Sequence, residues 1–385
     1  MKLIVRLLAG IVVGALLGAW GPEPVVRALV TLKGILGSLI GFLIPFIILF
    51  FIASGISGMG KSSGRLLAAA VGLAYVSTIV AGLWAFSVGR VTMPYLQAPA
   101  GTIPEAAPLV PYFQVEIAPP LDVITALATA FLLGIGIAGT QSSTLKSGVD
   151  EFKRIVELTI AGLILPILPI YVGSIFAELA AGEAVLVTVR MFVAVLAVVL
   201  LTQWTWLLFQ FAVAGLVAQR NPLLLLKNML PAYFTAIGTM SSAATIPVTL
   251  SSVKRNCRRE SLVDFAVPLC AAIHLSGSMI TIVLCSLAVM TLNLGQELPT
   301  LSQMLPAILL LGLIMIAAPG VPGGAIMAAL GVLTAVLGFS ESAVGLMIAL
   351  YMAQDGFGTA TNVTGDGAIN QVLDRLARVK GSAAE

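Results

Sequence analysis

The chain has 385 residues, of which 59% are hydrophobic and only 10% charged, with a mean hydropathy of +1.08. A soluble domain carries about 25% charged residues, so this composition excludes a single soluble core and places the chain in a membrane. The net charge of +3 and the pI near 8.8 do not signal a nucleic-acid partner, because the basic residues fall in loops between apolar runs. Three cysteines, Cys257, Cys270 and Cys285, have no metal-ligand spacing and are odd in number, which excludes a disulfide framework.

In chain order, apolar segments run over about 3–20, 28–58, 66–92, 120–140, 152–180, 185–218, 261–292, 305–338 and 341–369. The first begins with basic residues like a signal peptide. Its scattered Gly and Ala, and the span that follows at once, make it a first transmembrane helix instead. Lys2, Arg6, Lys61, Arg65, Lys146, Lys153 and Arg154 mark alternate loops as cytoplasmic, and Arg220, Lys227, Lys254, Arg255, Arg258, Arg259, Arg375, Arg378 and Lys380 fall on the same side. The opposite loops carry Glu23, Glu105, Glu116, Glu183 and Glu297. Pro166 and Pro169 predict a kink in the fifth span.

Two segments do not read as simple spans. Between Arg220 and Lys254 an apolar run has basic flanks on both sides, so it enters and returns as a hairpin with its tip at Thr239–Ala244. The second hairpin covers about 299–338 and breaks at Pro319, Gly320, Pro322, Gly323 and Gly324, where backbone donors are lost and unusual dihedrals allowed. Its polar and acidic flanks make it enter from the outside. Oppositely oriented broken elements point to an inverted-repeat carrier with a site near the midplane.

The last span supplies the polar groups for such a site. It carries Asp355, Asn362 and Asp366, with Thr359, Thr361 and Thr364 between them. A carboxylate at membrane depth costs roughly 2.5–3.5 kcal/mol on insertion scales, and is retained where it faces a bundle interior or an ion path. Intervals of seven and four put the three residues on one helix face. One stripe can then serve a small solute and a cation together.

These motifs resemble the dicarboxylate/amino acid:cation symporters, the family of the glutamate transporters. The resemblance covers nearly the whole chain in element order, and its most specific stretches are Ser241–Thr249 (SSAATIPVT), Gly320–Gly323 (GVPG), and Asp355 and Thr359 followed by Asn362–Asp366 (NVTGD). It implies an all-α polytopic membrane protein of elevator type, with eight transmembrane helices and two re-entrant hairpins. Residues 1–65 and 93–182 would be scaffold, 66–92 the third helix of the transport domain, and 183–385 that domain's core. It also implies a homotrimer in contact with membrane lipid, in a bacterial or archaeal cytoplasmic membrane, with both termini cytoplasmic.

Carried over residue by residue, the resemblance assigns solute binding to Ser241, Ser242, Val321, Gly323, Asp355, Thr359 and Asn362. Sodium falls to the Asn362 and Asp366 side chains and to backbone carbonyls of Cys270 and His274. Acidic-substrate members have an arginine where this chain has Gly358 or Met240, so a small neutral amino acid such as serine, threonine or alanine is expected. The family's aspartate-bearing motif in the seventh span reads His274–Ser278 here, which removes a carboxylate from the sodium site near Tyr75 and Thr78. His274, the only histidine, becomes a candidate proton site in place of one Na⁺. The alternative is a proton-coupled carrier of a small carboxylate or C4-dicarboxylate. An intramembrane hydrolase lacks a nucleophile signature around Ser241 or Ser242, and a channel lacks a filter or charged ring.

Overall fold

The computed structural model describes residues 2–58, 64–96, 109–182, 185–293, 298–316, 318 and 320–381. Lys61, Glu105, Glu183, Glu297 and Pro319 lie outside the described residues. Within them the chain is helical, with no strand among the described residues. The helices are α1 (Lys2–Trp20), α2 (Glu23–Gly58), α3 (Gly64–Leu96), α4 (Val123–Thr140), α5 (Ser143–Thr159), α6 (Leu165–Ala181) and α7 (Val185–Ala218). They continue as α8 (Pro222–Thr239), α9 (Ser242–Lys254), α10 (Glu260–Ile273), α11 (Ser276–Asn293), α12 (Leu301–Met315), α13 (Gly324–Ala335) and α14 (Glu341–Gly381). Among the described residues five helical runs are long and apolar enough to cross a membrane: Glu23–Ser57, Leu67–Leu96, Ser143–Ala181, Thr188–Ala218 and Glu260–Thr291.

The fifth run differs from its sequence reading. Residues 143–151, read as loop, are helical: Ser142 caps Leu145, and the charged turns lie outward around the buried Val149 and Val156. Just ahead of Pro166 and Pro169, where a kink is expected, the helix widens into a π-helical turn at Ile160–Ile164, in which Leu165 donates to Ile160. Pro166 supplies no amide to a helical ladder, and the wider turn absorbs that gap.

The first helix lies directly on α6. A β-carbon added at Gly10, Gly14 or Gly18 would collide with the carbonyl of Pro169, Gly173 or Ala177, so the two backbones touch. In contrast, α14 is surrounded by α7, α8, α10 and α11, and residues 358–371 are buried without interruption. Such a helix must satisfy its polar groups inside the protein.

Two pairs of helices fold back on themselves. At the first, Asn221 caps Leu223 and Leu224 ahead of Pro222, Met240 ends α8 in the left-handed region at φ 52°, and Ser241 caps Ala244 to start α9. At the second, a capping box of Thr300 and Gln303 starts α12, and Gly323 with φ 75° starts α13. The first pair has its base beside the end of α14, where Arg258 N–H donates to Asp374 at 3.3 Å. The second has its base at the opposite end of α14: Thr334, Ala335 and Glu341 line one cavity there. The tips meet between these ends, because Ser241 Oγ donates to the Gly320 carbonyl at 2.6 Å.

Candidate functional site

The polar stripe on α14 faces the break between α10 and α11. His274 leaves helical geometry at φ −106° and ψ 100°, so the N–H groups at the start of α11 have no carbonyl one turn back. Asn362 fills that role. Its Oδ1 accepts from Gly277 N–H at 2.8 Å and Ser278 N–H at 3.2 Å, while its Nδ2 donates to Ser278 Oγ at 3.0 Å. Tyr351 donates to the same Ser278 hydroxyl at 3.0 Å. The approach is close: a β-carbon on Gly277 would meet the Gly358 carbonyl and come within 2.5 Å of Thr361 Cβ.

One turn further along α14, Asp366 meets His274 with Oδ1 and Nδ1 2.9 Å apart, both side chains fully buried. His274 Nε2 lies 2.9 Å from Ser77 Oγ, which accepts from Gln210 Nε2 at 2.9 Å. Gln210 donates to Ser77, and the two ring nitrogens of His274 bridge Ser77 and Asp366. The second carboxylate oxygen, Oδ2, is buried and meets no hydrogen-bond donor among the described residues. A buried carboxylate oxygen in that condition calls for a donor or a cation.

Asp355 works at the other end of the stripe. Its Oδ2 accepts from Gly323 N–H at 2.7 Å, which places a carboxylate at the start of α13 and pins the return of the second pair to α14. A β-carbon at Gly323 would lie 2.9 Å from Met352 Sδ, so the turn needs glycine for space as well as for its dihedral.

The sequence-derived residues are therefore only partly assembled. Asn362, Asp366 and His274 converge on the α10–α11 break, and Asp355 joins Gly323. Ser241 reaches Gly320 rather than Asn362, and Val321 is 44% exposed whereas Ser242 and Thr359 are buried. The Cys270 carbonyl already accepts from His274 N–H at 2.8 Å. Thr78 bonds back to Ala74 in its own helix, and the Tyr75 hydroxyl lies 3.5 Å from the Leu309 carbonyl. Sequence reasoning missed Ser77, Gln203, Gln210, Ser278 and Tyr351. Gln203 and Gln210 did carry a signal: two amides seven residues apart share one face of an apolar helix. Gln203 in fact donates to Thr281 at 2.9 Å, beside the Asn362 contacts.

Among the described residues no three His, Cys, Asp or Glu side chains converge as a metal cluster. The Asn362 Oδ1 and the Cys270 carbonyl already accept hydrogen bonds, whereas Asp366 Oδ2 has no donor among the described residues. Beside the tips, a cavity of about 330 Å³ extends from Ala243 and Gly320 to Ser54, Lys153 and Glu157.

The model of the sodium:dicarboxylate symporter family matches residues 3–376. The chain belongs to the sodium:dicarboxylate symporter family. Its members are symporters rather than enzymes, and with the five apolar runs this membership makes the chain a multi-pass membrane protein. Similar curated proteins include excitatory amino acid transporter 1 of Homo sapiens, 30% identical over 164 residues, or 42% of this chain and 30% of that protein. Excitatory amino acid transporter 1 of Ambystoma tigrinum is 29% identical over 163 residues, with the same two shares. An excitatory amino acid transporter of Caenorhabditis elegans is 31% identical over 149 residues, 38% of this chain and 29% of its own length. The chain thus aligns with less than a third of the length of these relatives.

Proposed function

We propose that this chain is a secondary symporter that carries a small amino acid together with Na⁺ across a cytoplasmic membrane. One observation carries the reading. The buried Asp366 keeps an oxygen without a donor one turn from Asn362, where the broken α10–α11 run meets α14. Na⁺ would be held by Asp366, Asn362 and backbone carbonyls at Cys270 and His274. The solute would lie among Asp355, Thr359, Asn362, the Ser241–Ser242 tip and the Val321–Gly323 turn. Relatives named as amino acid transporters support the solute class. A neutral side chain is favoured because Gly358 and Met240 offer no guanidinium to a second carboxylate.

In this reading the helices form eight spans and two re-entrant pairs, α8–α9 and α12–α13. Scaffold helices α1, α2 and α4–α6 would hold a trimer, and α3 with α7–α14 would move as one domain. The contacts of α1 with α6 and of α2 with α4, and those of α14 with α7, α8 and α11, support that division. Coupling follows if the second pair closes only when solute and cation are both bound.

The His274–Asp366 contact favours a second reading, in which a proton on His274 replaces one Na⁺ and the cargo is a small carboxylate or C4-dicarboxylate.

The test is thermal stabilisation of the purified protein by a panel of amino acids and dicarboxylates, each in Na⁺ and in K⁺ or choline. A shift that needs both Na⁺ and a neutral amino acid supports the first reading. A shift with dicarboxylates alone, indifferent to Na⁺ and sensitive to pH, replaces it with the second. Unaltered pH dependence of uptake in His274→Gln removes the proton role.

A further inference from the structure

Where α7, the α9–α10 link and α14 end together, three arginines face one cavity of about 300 Å³. Its walls carry Arg220, Arg258 and Arg375, with Gln371 and Asp374 between them. The cavity is built rather than incidental. Arg220 donates through Nη1 to the Asn256 carbonyl, and Asn256 is held by Asn228 at 2.8 Å and by the Leu225 carbonyl at 2.9 Å. Asp374 is fully buried and accepts from the backbone N–H of Arg258 at 3.3 Å. Three guanidinium groups face one carboxylate, leaving a formal excess of two positive charges.

Guanidinium forks match the oxygens of a phosphate in bidentate geometry. A basic pocket between membrane helices at their loop ends suits an anionic headgroup. We propose that this cavity binds a phosphate-bearing anion, from a phospholipid headgroup or from free phosphate, and that the anion ties the end of α7 and the α9–α10 link to α14. The same α14 carries Asp366 about two turns from Asp374, so an anion here steadies the helix that holds the candidate cation site. The inference rests on this cavity alone and stands whatever the transported solute.

The test uses the full chain purified in a neutral detergent, with two probes. One arm compares inorganic phosphate with chloride at matched ionic strength; the other compares added phosphatidylglycerol with phosphatidylcholine. Binding raises the melting temperature by about 2–4 °C. A rise with phosphate identifies a free anion as sufficient, and a rise with phosphatidylglycerol alone identifies the headgroup. Arg258→Gln and Arg375→Gln each abolish the rise, Arg375→Lys keeps a smaller one, and Arg154→Gln on α5 leaves it intact. No rise with either probe overturns the proposal, as does an equal rise in wild type, Arg258→Gln and Arg375→Lys.

Discussion

Ser241 Oγ donates to the Gly320 carbonyl at 2.6 Å and also accepts from Ala244 N–H at 3.2 Å, so one hydroxyl both starts α9 and holds the two tips together. Replacement separates these roles. Ser241→Gly retains most of an N-cap's value, within a few tenths of a kcal/mol, whereas Ser241→Ala loses about 1 kcal/mol more. Both lose the tip contact, worth about 0.5–1.5 kcal/mol. If the contact belongs to the closed, loaded state, both variants weaken the solute-dependent thermal shift alike. A shift retained in Ser241→Gly and lost only in Ser241→Ala assigns the effect to the cap.

Asn362 is the acceptor for two amides that open α11. Asn362→Ala leaves both N–H groups buried and unsatisfied, at about 1–3 kcal/mol each. Asn362→Asp keeps the acceptors and loses the donor to Ser278. Melting temperature in the absence of solute should therefore fall further for the alanine variant than for the aspartate. The reverse order contradicts the capping role.

Removing one partner of a buried hydrogen bond leaves the other unsatisfied, at about 1–3 kcal/mol and more where that group is charged. Asp366→Asn and His274→Gln are each expected to destabilise the protein, and the double variant by less than their sum. A cycle of the four proteins in denaturant should give a coupling of about 0.5–3 kcal/mol. Additive single effects mean that the 2.9 Å contact carries no energetic coupling.

Gly277 and Gly358 face each other across α11 and α14, yet their tolerances differ. A β-carbon on Gly277 meets backbone and Thr361, while one on Gly358 has its nearest neighbours at 3.5–3.6 Å, an ordinary contact. Gly277→Ala should lose about 1–3 kcal/mol to overpacking, and Gly358→Ala should melt close to wild type. Equal melting temperatures refute the close approach.

Gly358→Arg tests the missing guanidinium directly. A guanidinium there would supply the bidentate partner that a second carboxylate lacks. The variant is expected to gain a Na⁺-dependent thermal shift with aspartate and to lose one with serine or alanine. A neutral-substrate preference that survives the substitution places selectivity elsewhere, with Lys153 on the cavity beside the tips as the next cation to test.

Some of this protein could be read from residue order alone. Asn221-Pro222, Met240-Ser241 and Gly323-Gly324 punctuate the helices by acting on backbone only a few residues away, and so both fold-back tips were legible. The intervals among Asp355, Asn362 and Asp366 likewise fix one helix face before any partner is known. The start of α5 was not legible, since its charged turns read as loop until Val149 and Val156 find a surface to cover.

What tertiary structure decided was which polar groups meet. Ser77 and Gln210 lie 133 residues apart and still share a hydrogen bond, and His274 reaches Asp366 across 92 residues. Sequence spacing determines faces of one helix, but partners on different helices are set by how the bundle closes. The three arginines of the α14 cavity belong to the same class: in the sequence they are loop charges that orient the chain, and only convergence of three helix ends makes them one site.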